Sequence, residues 1–375
     1  MAKKKPAILC VLLLVACGKQ QLPVVVHAAD EVPRQLSAWG VVLADGNFFE
    51  LNDRVLPYDL NTPLFSDYAL KMRTLWLPAG ETVTYSADSE LDFPVGTIVS
   101  KTFYYEKAEG WAQSSFRVVR ADREPELDSS GRLGLNKYVL IETRLLVRYE
   151  DGWQAFPYVW NAEQNEAWLE IAGDVRSMTL VADSEAQDFI YIVPDTNQCS
   201  GCHAPNHTDK KIRPIGLKAR HLNRPYGYAG QELNQIEQWQ TLGVLTGVED
   251  NVPESVRWTD PGDATLDERA RAYLDINCGH CHNSVGAADT SGLHLDIKAA
   301  VDRNFGICKS PTAVGRGSGD RPYDIYPGKP DDSILLYRME HTDPAIAMPE
   351  LGRSTVHSEG VALISEWIAS LEGDC

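Results

Sequence analysis

Two five-residue stretches, Cys199-Ser200-Gly201-Cys202-His203 and Cys278-Gly279-His280-Cys281-His282, restrict this chain more than anything else in it. Cysteines three positions apart lie on one helical turn, where both thiols reach the two vinyl groups of one porphyrin. The histidine that follows then points its imidazole at the iron. Roughly 0.004 accidental copies of Cys-x-x-Cys-His are expected in a chain of this length and composition, so chance does not explain two. A zinc ribbon uses the same sulfur pairs, but places them roughly 15 to 20 residues apart. Here about 75 residues separate the pairs and a histidine closes each one. Two covalently bound haem c groups are expected, one on Cys199 and Cys202 with His203 as proximal ligand, the other on Cys278 and Cys281 with His282.

The sixth ligands differ. Met348-Pro349 lies downstream of His282 and precedes an apolar stripe of Val361, Ile364, Trp367, Ile368 and Leu371. Upstream, Thr265-Leu266-Asp267-Glu268 reads as a capping box that starts a helix running to Asn277. Helix, Cys-x-x-Cys-His, Met-Pro and terminal helix, over about residues 263–375, resemble a class I c-type cytochrome. The resemblance implies Met348 as the second iron's sixth ligand and Tyr273 with Trp367 as the aromatic pair where the helices cross. A soft, neutral thioether favours Fe(II), so this site is expected to have the higher potential. No methionine occurs between His203 and Cys278. For the first iron the candidates are His221 as sixth ligand, Met178, His207, Lys210, Lys211 or Lys218 in its place, or an open, water-bound or Trp239-lined side.

The first seventeen residues read as an export leader: Lys3 to Lys5, an apolar run too short to span a bilayer, and Leu14-Val15-Ala16-Cys17, which looks like a bacterial lipobox. Cleavage after residue 16 would leave Cys17 lipidated, and Gly18 beside it favours the outer membrane. Loss of the three leader lysines takes the formal charge from -18 to -21. Such an acidic chain is expected not to bind nucleic acid, and suits a redox partner with a basic docking face. Cys308 and Cys375 are the cysteines left over, and in an exported protein an even remainder implies a disulfide.

Along the chain, 1–16 is the expected signal peptide and 17–37 a tether. Residues 38–195 are rich in β-branched and aromatic residues between turn signals. They read as a mainly antiparallel β domain, sandwich or barrel, with strands near 97–105, 138–149, 153–160, 168–171 and 189–193. Glu150-Asp151-Gly152 carries a hairpin signal. From 196 the pattern turns helical, with a helix expected at Gln231 to Leu242. Residues 196–262 are expected as a first haem module and 263–375 as a second. The fold class is thus multidomain α+β, a β domain followed by a mainly α dihaem region.

FPVGTIVSKTF at 93–103, YVWNAEQNEAWL at 158–169, PIGLKARHLN at 214–223 and GKPDDSILLYRM at 328–339, with the haem motifs, resemble a family of exported dihaem c-type cytochromes with an N-terminal β domain. The resemblance implies electron transfer and names no substrate. Single-electron transfer in the cell envelope is the expected function. The alternative is a peroxidase-like oxidoreductase whose first haem is open or switchable.

Overall fold

The computed structural model describes residues 23–375 except 122–124, 184, 229, 263 and 313. The expected leader and Cys17 lie outside the described residues. Within them, no helix is long and apolar enough to cross a membrane.

The chain is mainly β and is built on an N-terminal antiparallel sheet. Six strands lie side by side in sequence order: β1 (Leu56–Tyr58), β2 (Leu70–Trp76), β3 (Ile98–Glu106), β4 (Tyr138–Tyr149), β5 (Gly152–Trp160) and β6 (Ala167–Leu169). β1 and β6 are its two edges, so the sheet is open. The hairpin expected at 150–152 joins β4 to β5, with Tyr149 paired to Gly152 at φ 140°, a value that favours glycine.

Side chains alternate between the two faces of each strand. On one face Ile98, Leu145, Val147 and Trp160 pack under Leu36, Trp39 and Phe49. Residues 23–37, expected as a tether, belong to this layer. Val24, Val26 and Val32 pack against its core, and Val25 N donates to Trp39 O at 3.0 Å. A valine-rich segment gains more by covering an apolar face than by staying in water.

The other face carries two apolar clusters with a gap between them. At one end Leu75, Val99 and Leu146 meet Leu217, Leu222, Ile236 and Trp239. At the other, Phe103, Tyr105, Ile141 and Val159 meet Met178, Leu180, Phe189 and Tyr191 of the hairpin 174–193. Arg73, Lys101 and Arg144 occupy the same face between them, because they alternate in step with Leu75, Val99 and Leu146.

Beyond the sheet come short helices: α1 (Thr196–His203), α2 (Ala219–Leu222), α3 (Gln235–Thr241), α4 (Leu266–Leu274), α5 (Ile334–Met339) and α6 (Ser358–Ser370). The helix expected from Gln231 is divided. Gln231–Asn234 pairs with Pro225–Tyr228, and the Asn234 side chain accepts from Ile236 N and Glu237 N, which starts α3 only at Gln235. Because Leu217, Leu222, Ile236 and Trp239 complete the sheet's own core, 196–262 is not a separately cored module. Leu245 even pairs with Val83 in a parallel ladder.

α4 starts at the expected Thr265 capping box and shares a core with α6. Their contact uses Gly360, where a Cβ would fall 2.3 Å from the Tyr273 hydroxyl. The expected Tyr273–Trp367 pairing is replaced by separate partners. Tyr273 meets Trp258 and His357, while Trp367 packs edge-on against Phe305 and donates to Asp267 Oδ1 at 2.9 Å. Cys308 and Cys375 form a disulfide, with Cα atoms 5.4 Å apart.

Candidate functional site

Asp195 starts α1 with a capping box. Its carboxylate accepts from Asn197 N at 2.8 Å and Gln198 N at 2.9 Å, and Gln198 Oε1 accepts from Asp195 N at 3.0 Å. The helix so placed carries Cys199, Cys202 and His203, and all three line one cavity between α1 and the sheet. His203 Nδ1 lies 2.7 Å from Arg213 O. A carbonyl oxygen only accepts, so Nδ1 carries the proton and Nε2 keeps its lone pair, the tautomer a metal ligand needs. Burial first, then the nearby Lys101 charge, hold the imidazole down to about 3.

The sheet forms the facing wall. Arg73 on β2 is in register with Lys101 on β3, and Lys101 with Arg144 on β4, so three cations stand in a row across adjacent strands. Like charges directly opposite each other destabilise a sheet. The outer two are compensated: Arg73 donates to Asp59 Oδ1 at 2.5 Å, and Arg144 to the two Glu142 oxygens at 2.6 and 2.7 Å. Lys101 has no hydrogen-bond or ion-pair partner among the described residues and lies 5.1 Å from the Phe103 ring centre. Burial, then Arg144 and Arg73, push its ammonium down to about 7. Lys71 also lines the cavity, but donates to Ala69 O at 3.3 Å. Two thiols and an imidazole of the right tautomer, all opening on one space against a basic wall, fit a covalently attached haem with its two carboxylates.

The second motif follows α4 through the π-type turn Asp275–Gly279. Cys278 and Met348 line one small cavity together with Tyr273, Met339 and His357. Arg353 fixes the methionine's segment, donating from Nη2 to Met348 O at 2.7 Å and His341 O at 2.9 Å. Ser291 donates to Ala288 O at 2.6 Å and so can accept from His282 Nδ1, 3.2 Å away. That again leaves Nε2 for a metal. Burial pushes His282 down to about 4. Cys281 and His282 are not part of this cavity's lining. Cys281 Sγ donates instead to Gly201 O at 3.2 Å, inside the first motif. The fit here is thus narrower: of this motif only Cys278 shares the space with the methionine, and the other thiol there, Cys202, belongs to the first motif.

The two sites adjoin, since Leu64, Cys202 and Leu351 line both cavities. Leu64 belongs to the 60–68 loop of the β domain, which the sequence did not mark. In that loop Phe65 stacks on His357 at 4.1 Å, and buried Asp67 accepts from Ser354 N, Thr355 N and Thr355 Oγ1 at 2.7, 2.7 and 2.8 Å. Among the described residues no group of three or more His, Cys, Asp or Glu side chains is placed to hold a metal ion, so the four motif thiols do not converge as in a zinc ribbon.

His221, expected as the first iron's sixth ligand, lines a different cavity with Arg220, Lys218, Asp275 and His280. Its Nε2 accepts from Arg220 Nη1 at 2.8 Å, and Arg220 is held by Asp275 at 2.6 Å. The guanidinium, which the sequence placed merely beside it, takes the Nε2 lone pair, and the neutral ring then carries its proton on Nδ1. Met178 is buried in the sheet's core and Trp239 packs on Tyr58. His207 contacts the carbonyls of Val285 and Gly286, and Lys210 and Lys211 are exposed. Lys218 lines the His221 cavity. Lys101, Arg73 and Arg144 went unremarked, although a charge inside the apolar run VGTIVSKTFYY was the available signal. No family model, curated protein or solved structure matches the chain.

Proposed function

We propose that this chain is a dihaem c-type cytochrome that passes single electrons within the cell envelope, with Cys199, Cys202 and His203 holding one haem and Cys278, Cys281, His282 and Met348 the other. The observation that carries this reading is the adjacency of the sites: Cys281 Sγ is 3.2 Å from Gly201 O, and three side chains wall both cavities. Haem iron supplies a reversible one-electron couple. The chain would set its potentials through the ligands, the tautomers fixed by Arg213 and Ser291, and the basic wall. The C-terminal region would then work as a cytochrome c-like unit closed by α4 and α6, with the β domain as the wall of the first site. Export, Cys17 lipidation and an outer-membrane position complete the reading, and the acidic charge suits a basic redox partner.

Catalysis at the first site is the second reading. One observation favours it: among the described residues His203 is the sole histidine lining its cavity, and no methionine lines it. The test is to express the full chain in a host that exports proteins and attaches c-type haem. The pyridine haemochrome should give two haems per chain, one after Cys199→Ala with Cys202→Ala, and two one-electron steps in a potentiometric titration. A wild-type chain without covalent haem overturns the proposal, and peroxide turnover would favour catalysis.

A further inference from the structure

Lys101 poses a problem of charge. A sheet that places Arg73, Lys101 and Arg144 in register across three strands gains repulsion, and only the two arginines have carboxylates of their own. The middle cation lines the same cavity as Cys199, Cys202 and His203 and ends there without a hydrogen-bond or ion-pair partner among the described residues. Among the described residues, the cavity's lining has no methionine and no second histidine. Of the nitrogen donors that face His203 from the sheet, guanidinium groups do not deprotonate and Lys71 is engaged by Ala69 O.

We infer that the Lys101 amine is the sixth ligand of the iron held by His203, so that the β-sheet itself closes the first haem site. On coordination the ammonium gives one proton to solvent and its nitrogen lone pair takes the open position on the iron, with no change in oxidation state. The step removes the unbalanced charge from the middle of the row. It explains why a lysine stands where the strand otherwise buries Val99 and Phe103. The inference rests on the haem reading and gives the β domain a part in it.

The test uses the full, haem-loaded chain in the ferric state, read by low-temperature EPR and near-infrared magnetic circular dichroism. The wild type should show two low-spin haems, one with a nitrogen–nitrogen charge-transfer band and one with the sulfur band of Met348. Lys101→Arg keeps the charge and removes the ligand, and should convert the nitrogen–nitrogen species to high spin while the sulfur band persists. Lys101→Ala should do the same, and Lys71→Ala should leave both species intact. Unchanged low-spin signals in Lys101→Arg overturn the assignment and point to pairing of Lys101 with a haem carboxylate. A high-spin first haem in the wild type overturns it too. Haem content separates the two failures, since a chain with no covalent haem defeats the proposed function itself.

Discussion

The Sγ of Cys281 lies 3.2 Å from the main-chain oxygen of Gly201, so the two Cys-x-x-Cys-His turns touch. Groups bonded to these turns are neighbours by construction, and each feels the charge of the other through little intervening protein.

Met348 shares its cavity with Cys278, and its segment is fixed by Arg353. Met348→Ala is expected to abolish the near-infrared sulfur-to-iron band and to lower one of the two potentials. A spectroelectrochemical titration measures both. An unchanged band would remove Met348 as a ligand.

Asp67 joins the 60–68 loop to the segment after Met348 with three short hydrogen bonds in a buried setting. Asp67→Ala strands those donors and is expected to cost about 2–4 kcal/mol. Denaturant unfolding gives the number, and a cost below ~0.5 kcal/mol would mean that the contact does not hold the loop.

Cys308 and Cys375 close a loop with a sequence separation of 67. On the chain-entropy model a loop of that size contributes about 4 kcal/mol. Cys375→Ser should lower the unfolding midpoint accordingly while both haems stay attached. Equal midpoints for variant and wild type would show the bond to be absent in solution.

His357 stacks on Phe65 and hydrogen-bonds to Tyr273 at Nδ1, 3.0 Å from the hydroxyl. Burial pushes its pKa down from 6.5 to about 4. The unfolded chain therefore binds the extra proton first as pH falls. The contribution is full above 6.5 and drains away toward about 4, on the order of 3 kcal/mol in all. His357→Gln should flatten the stability profile across that window. A profile that keeps its slope places the titration elsewhere.

What the sequence disclosed was local. The spacing of Cys199, Cys202 and His203, the Thr265 capping box and the β-branched and aromatic composition of 138–149 act within a few residues, and the helical turn, the helix start and the strand they imply reappear in the structure. What it hid depends on register and packing. Lys101 faces Arg73 and Arg144 only because three strands align, and no window along the chain contains all three. His221 had a suitable distance from His203 along the chain. Its placement was decided by Asp275, which holds Arg220 against it. Tyr273 found its space opposite a glycine on α6, a gap that an apolar stripe does not announce.

Leu64, Cys202 and Leu351 form a partition shared by two cavities, since each of them lines both. Close packing leaves little slack, so a volume change on one side must be absorbed on the other. The two halves of this protein are therefore bound to a common history: a substitution at 64 that suits one chamber sets terms for 351 and for the other chamber. Across related chains these positions should vary in concert, and the partition should outlast either lining.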